Sequence, residues 1–104
     1  MLENEARTLL SKWRDQRTPL HIIARFPGCS FALDCCVRRL TDDAVILDLP
    51  GVQDSCEFVI RDFSFIQLRA ADVRAASDGN RQYASGLRCC GQRAEALTIM
   101  TMAQ

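Results

Sequence analysis

The residues that follow the N-terminal helix most constrain the fold of this chain. Between residues 19 and 68 the sequence reads as four strand-like segments separated by short turns. Apolar side chains recur there at every second position, which is the period of a half-buried β-strand. Helical spacing is clear only over residues 3–17, and Pro19 ends that helix because the residue before a proline avoids the helical region. One helix followed by short antiparallel strands predicts a mainly β protein.

The first three strands predict a strongly bent sheet. Residues 20–26 alternate between apolar and polar side chains, and the Pro27-Gly28 pair that follows predicts a tight turn. Residues 30–40 are long for one strand, so we expect a bend around residues 34–36. Residues 44–49 are apolar at nearly every position, which indicates burial on both faces or at an interface.

The last segment of this region contains a break in its alternation. Within residues 56–68 the apolar phase shifts around Asp62, which indicates a bulge or a corner between two strands. Beyond that point two inward-facing pairs are compatible with the pattern, Phe63 with Phe65 or Ile66 with Leu68. Since corners of this kind close small barrels, we predict a small bent antiparallel barrel.

The C-terminal third predicts an extension of the barrel. Residues 70–77 are compatible with a short helix, and residues 78–80 with a turn. Residues 87–90 and 96–102 then predict a C-terminal β-hairpin. No linker or repeat interrupts the sequence, so we expect one domain over residues 1–104, with a helix at 1–17, a barrel core at 19–68 and an extension at 70–104.

Charge and composition favour association over nucleic-acid binding. The 13 basic and 13 acidic side chains give a formal net charge of zero, and 48% of the residues are hydrophobic. Nucleic-acid binders usually carry a basic excess because neutralised phosphates supply much of their affinity. A zero net charge also removes the repulsion that keeps small proteins apart. We therefore expect a homo-oligomer or a protein partner rather than a nucleic acid.

The sequence predicts a cytoplasmic protein with reduced thiols. Residues 1–7 lack the apolar region of a signal peptide, and no stretch approaches the roughly 18 apolar residues of a membrane span. The six cysteines are then expected to be free thiols that act as small hydrophobes. Two pairs are adjacent, Cys35 with Cys36 and Cys89 with Cys90, and neighbours on a strand face opposite sides and cannot chelate one metal together.

No group of residues predicts catalysis, a cofactor or a metal. His21 is the only histidine, and no nucleophile or acid lies at a diagnostic spacing from it. No Gly-rich phosphate loop and no Cys-x-x-Cys motif occurs. We therefore predict no catalytic residue, no cofactor and no metal ligand, and we do not expect an enzyme.

Several sequence features follow one another in a familiar order. Residues 10–17 lead into Thr18-Pro19-Leu20, then come Gly28 and the stretch Leu-Thr-Asp-Asp-Ala-Val-Ile-Leu at residues 40–47. This order resembles the Sm-like fold, in particular the bacterial Hfq-type RNA chaperones, over residues 6–68. The resemblance implies an Sm-like or SH3-like barrel and an RNA-binding protein of bacterial type.

The chain departs from that family where RNA would bind. Family members show a Tyr-Lys-His signature near the last bend, whereas this chain has Ile60-Arg61-Asp62, and the glycine usual in the bent second strand is replaced by Asp34-Cys35-Cys36. Two hypotheses remain: a self-assembly or interaction module, and an RNA binder with a degenerate signature. The first hypothesis predicts an interface that includes Ile23, Ile46 and Val59. The second predicts that RNA phosphates, or a partner, contact Arg25, Arg38 and Arg61.

Overall fold

The structure is a computed structural model that describes residues 1–51, 53–69, 71, 72 and 83–102. Its elements in these ranges are α1 (Glu3–Asp15), β1 (Leu20–Phe26), β2 (Cys29–Leu40), β3 (Ala44–Asp48), β4 (Ser55–Val59), β5 (Ser64–Leu68), β6 (Tyr83–Cys90) and β7 (Ala96–Met102). The protein is therefore mainly β with one N-terminal helix, as the sequence predicts. The helix predicted at 70–77 and the turn predicted at 78–80 lie largely outside the described residues.

All seven strands belong to one antiparallel sheet. The strand order is β4-β3-β2-β1-β7-β6-β5, so the first five strands of the chain are not consecutive in space. The C-terminal hairpin of β6 and β7 is confirmed, with Cys89 opposite Leu97 and Cys90 opposite Ala96. This hairpin lies between β1 and β5.

The sheet is open, whereas the sequence predicted a closed barrel. A barrel made from residues 19–68 alone would need its first and last strands to pair with each other. Here β7 occupies the free edge of β1 and β6 occupies an edge of β5, so those two strands cannot meet. In the described residues β4 pairs only with β3, and β5 only with β6.

The long strand β2 bends as its length predicts. Its first half pairs with β1 as far as Cys35, opposite Leu20. From Cys36 onwards it pairs with β3, and the register shifts between Val37 and Arg39. A register shift of this kind adds a residue to one strand and bends it. One strand therefore serves both halves of the sheet.

The phase shift near Asp62 corresponds to a corner between two strands. β4 ends at Val59 and β5 begins at Ser64. Asp62 has a φ angle of 60°, in the left-handed region that aspartate tolerates better than most residues. Beyond the corner Phe65 is buried in the main core and Phe63 packs against that core, so the first of the two predicted inward pairs is correct.

The main core lies between α1 and one face of the sheet, which we call the inner face. Ala6, Leu10 and Trp13 of the helix are buried there. Every strand contributes to the same apolar cluster, and α1 contacts β2 and β5. The central fully buried side chains are those of Leu10, Leu20, Ile22, Leu47, Leu87, Leu97 and Ile99.

Candidate functional site

Two of the three predicted contact arginines are held by carboxylates. Arg61 donates two hydrogen bonds to Asp43, from Nε to Oδ1 at 3.0 Å and from Nη2 to Oδ2 at 2.7 Å. Arg38 donates from Nε to Asp48, which also accepts a hydrogen bond of 2.9 Å from Arg17 Nη1. Arg25 is exposed, and within the described residues it makes no hydrogen bond or ion pair.

The electrostatic effect of these arginines is visible in the two aspartates. Hydrogen bonding from Arg61 holds the pKa of Asp43 below its ordinary value. Hydrogen bonds from Arg17 and Arg38 likewise lower the pKa of Asp48. Both carboxylates therefore stay charged at neutral pH and reduce the positive potential that Arg38 and Arg61 could offer to a phosphate.

The three predicted interface residues differ in exposure. Val59, at the end of the edge strand β4, is 60% exposed. Ile23 is half-buried and packs against a second apolar cluster on the sheet. Ile46 faces outward as its alternation predicts, yet it is only 9% exposed between Arg39 and Glu57 on the neighbouring strands. Ile46 therefore offers little surface to a partner in the isolated chain, and its place in an interface stays a prediction.

The two edge strands carry exposed apolar side chains. Ile66, in the middle of β5, is 51% exposed. β5 contains no charged residue and no proline, and β4 contains one charge, Glu57. Natural proteins usually protect a sheet edge with lysine, proline or a bulge, because its unpaired N–H and C=O groups can pair with another chain.

Three phenylalanines form an aromatic cluster near the turn between β1 and β2. The ring centroids of Phe26, Phe31 and Phe58 lie 6.1 to 6.3 Å apart, and the rings are stacked. Phe31 is 38% exposed, whereas Phe58 is buried. The cluster therefore presents one aromatic ring to solvent.

The side of the sheet opposite the main core, the outer face, has its own apolar cluster. Leu68, Tyr83 and Met100 are buried there, with Ile23 and Met102 packed against them. Beside this cluster is an outer-face cavity of about 660 Å³, bordered by strands β1, β5, β6 and β7. Its lining includes two arginines, Arg25 and Arg88, so it combines apolar surface with positive charge.

His21 has partners that the sequence pattern did not reveal. Its Nδ1 lies 2.8 Å from Asp34 Oδ1, and its ring stacks on Tyr83 at a centroid distance of 5.7 Å. The register places His21 directly opposite Asp34 on β2, so the pair follows from strand pairing.

The cysteines show no sign of a metal centre or a disulfide. All six are free, and no group of three or more potential ligands clusters in the described residues. Burial raises the pKa of the Cys35 and Cys89 thiols to about 12. Since the thiolate is the reactive form, these two groups are protonated and unreactive at neutral pH.

Comparison with known proteins adds no relative: the chain matches no protein-family model, no curated protein and no solved structure. A bilayer-spanning helix is absent from the described residues. The candidate sites therefore depend on geometry alone.

Sequence reasoning missed Ile66 as an exposed residue and Arg88 as a cavity residue, because both assignments require the pairing of β5 and β6.

Proposed function

We propose that this protein is a self-association module that assembles through the free edges of its sheet, without chemistry of its own. The observation that carries the proposal is the pair of edge strands that have only one strand partner each in the described residues, with an exposed apolar side chain on each, Val59 on β4 and Ile66 on β5. The zero net charge supports it, because no overall repulsion opposes the approach of a second copy.

The charges on the two edges favour pairing of β4 with β5 of another copy. A two-fold pairing of β4 with itself, centred on the middle residue, would place Glu57 opposite the same residue of the second copy, and directly opposed like charges destabilise a sheet. β5 carries no charge and can accept β4 without that cost. A contact between two different edges is heterologous, so repetition gives a ring or a filament.

The Sm-like resemblance enters this proposal as an architecture. We infer that residues 6–68 form an Sm-like core, curled as in a small barrel, to which the C-terminal hairpin has been added. The shared strand β2, the order β4-β3-β2-β1 and the single core built from all strands support the inference. In this arrangement the hairpin widens the sheet between β1 and β5.

The test combines two edge variants, Val59→Lys and Ile66→Lys, with multi-angle light scattering in the presence of a reductant. We expect wild type to show a mass that rises with concentration, and each variant alone to be a monomer. An equimolar mixture of the two variants should give a dimer, because each then contributes one intact edge. Leu2→Lys is the control, since Leu2 is 70% exposed and lies before α1 rather than on an edge strand.

The results distinguish edge pairing from the other routes to association. Wild type that stays monomeric at every concentration refutes self-association. Oligomers that persist in both variants, or that disappear equally in Leu2→Lys, refute the edge interface. An effect of Ile66→Lys without any effect of Val59→Lys would indicate symmetric pairing of β5 instead. The reductant removes disulfide-linked dimers, which the exposed Cys29 could otherwise form.

RNA binding remains the second candidate because Phe31 presents an exposed ring at the aromatic cluster. Aromatic rings of this kind stack on the bases of single strands. The carboxylates on Arg38 and Arg61 make it the weaker candidate, since phosphate contacts would have to displace them. Fluorescence anisotropy with A-rich and U-rich oligonucleotides over a salt series tests it. Salt-sensitive binding that Phe31→Ala weakens would support RNA binding, and its absence would remove it.

A further inference from the structure

The outer-face cavity owes its shape to the outward-facing residues of β7. Two small side chains, Ala96 and Thr98, lie along its floor. On one side β7 pairs with β1, which places Ile23 opposite Thr98 and Arg25 opposite Ala96. On the other side it pairs with β6, which places Arg88 opposite Thr98. Large side chains on both neighbouring strands therefore flank a trough of small ones.

The lining of the cavity combines apolar and polar surface in nearly equal measure. Ile23, Ile66 and Leu68 supply apolar surface, while Arg25 and Arg88 supply positive charge. The volume of about 660 Å³ lies inside the range of roughly 300–1,000 Å³ that is usual for small-molecule sites.

The two guanidinium groups are available to an incoming anion. Arg88 uses Nε for a long hydrogen bond of 3.5 Å to Thr98 Oγ1, which orients the side chain and leaves its terminal nitrogens unused in the described residues. Arg25 has no ion pair there. From the spacing of strands and residues in a sheet, the Cα atoms of the two arginines are about 12 Å apart across the trough.

Among the described residues of the lining, the only acidic one is not paired with these arginines. Asp72 accepts a hydrogen bond of 3.0 Å from the backbone N–H of Arg69, and no ion pair in the described residues joins it to Arg25 or Arg88. The three charged side chains among the described lining residues thus leave one net positive charge. That charge fits a monoanion better than a polyanion, whose extra charge would lie close to Asp72.

We propose that the outer-face cavity binds a small amphipathic carboxylate, with its carboxyl group between Arg25 and Arg88 and its apolar chain against Ile23 and Ile66. Guanidinium groups bind carboxylates through paired hydrogen bonds, and such charge-assisted bonds are stronger than neutral ones. The apolar chain gains by leaving water for the isoleucine surface. The site shares Ile66 with the β5 edge proposed above for pairing, but its two arginines lie on β1 and β6, which are not edge strands.

Nuclear magnetic resonance titration of the full chain with octanoate tests the proposal. The expected result is saturable shifts of the backbone amides at residues 23–25, 88 and 96–98, with a dissociation constant of about 1 mM or below, as suits a ligand of this size. Octanamide has the same chain without the charge, and acetate has the charge without the chain. Both should bind at least tenfold more weakly than octanoate.

Variants separate the contribution of charge from that of volume. Arg25→Gln and Arg88→Gln should each weaken octanoate binding about tenfold, since each removes hydrogen bonds to a charged group. Arg39→Gln is the matched control, because Arg39 is an exposed arginine on β2 outside the cavity. Ala96→Leu should abolish binding while it keeps both arginines, since the larger side chain fills the floor.

Several outcomes would overturn the assignment. Equal affinity for octanamide, or unchanged octanoate binding in both arginine variants, would show that the arginines do not select the ligand. Shifts confined to the groove beside α1, which is lined by Met1, Leu9 and Lys12, would place the ligand elsewhere. Binding of a peptide with an apolar C-terminal residue but not of octanoate would identify the occupant as a protein terminus. Native spectra of all variants confirm that the fold is retained.

Discussion

Replacement of Gly86 by alanine tests the packing of the outer face. Gly86 lies on β6 between Met100 on β7 and Leu68 on β5. A Cβ atom at this position would lie 2.7 Å from the backbone oxygen of Ile99 and 3.4 Å from a side-chain atom of both Leu68 and Met100. A side chain can rotate away from such a contact, but a carbonyl in a strand ladder cannot move without disturbing its hydrogen bonds.

Two effects of opposite sign decide the free energy of unfolding of Gly86→Ala. Alanine restricts the unfolded chain, which stabilises a protein by about 0.4–1 kcal/mol where the native geometry accepts it. Overpacking of a dense site costs about 1–3 kcal/mol. The contact with the Ile99 carbonyl makes the second effect larger, so we expect a net loss of roughly 1–2 kcal/mol.

Urea unfolding followed by circular dichroism measures this loss as a lower midpoint. Gly28→Ala is the informative control, because a Cβ there meets no atom within 4 Å, while the φ angle of +78° is unfavourable for alanine. Gly28→Asn should be more stable than Gly28→Ala, since asparagine tolerates the left-handed region. At Gly86, by contrast, no residue larger than glycine should be tolerated. A Gly86→Ala protein as stable as wild type would refute the reasoning, because the Ile99 carbonyl would then have to be free to move.

Further predictions concern the core and two titratable groups. Leu10→Ala should lower the free energy of unfolding by about 2–5 kcal/mol, because Leu10 is fully buried between the helix and the sheet. The exposed control Thr8→Ala should change that free energy by less than about 0.5 kcal/mol, and urea unfolding measures both values. Because the pKa of Asp48 is lowered in the folded state, its ionised form stabilises the fold above the unfolded-state pKa, and this contribution is lost as the pH falls. The difference in urea midpoint between wild type and Asp48→Asn should therefore shrink from pH 6 towards pH 2. A constant difference would contradict this prediction. The Cys89 pKa is raised from 9.0 to about 12, so the folded state retains a proton that the unfolded state loses. The free energy of unfolding should therefore fall as the pH rises above 9, and Cys89→Ala should show a shallower alkaline decline in urea midpoints.

Local patterns predicted the elements because their causes are local. β1 coincides with the alternating residues 20–26, since alternation assigns each side chain to a face and Pro27-Gly28 fixes the turn. The bend of β2 follows from its length, and the corner at Asp62 from a change of phase that one straight strand cannot accommodate. The C-terminal hairpin was also predicted, although its strand β6 begins at Tyr83 rather than Leu87.

The pairing of strands could not be predicted from the sequence. The alternation of apolar and polar residues shows which face of the sheet a side chain lies on, but not which strand lies beside it. Ile46 faces outward as predicted, but its burial depends on Arg39 and Glu57, which only the register places beside it. Arg61 and its carboxylate Asp43 are 18 residues apart in sequence, so their pairing depends on how β3 meets the corner after β4. Their opposite charges are evident from their residue types, whereas the distance between them is not.

The position of the C-terminal hairpin accounts for both candidate surfaces. If β1 paired directly with β5, the core strands could close, and Ile23 and Ile66 would come from adjacent strands with no floor between them. The hairpin separates β1 from β5, which leaves the sheet open and places Thr98 and Arg88 between the two isoleucines. Ile66 therefore belongs to both surfaces, to the β5 edge by its strand and to the cavity by its face. Arg25 and Arg88 belong to the cavity alone, so their variants can remove ligand binding while assembly through the edges is retained.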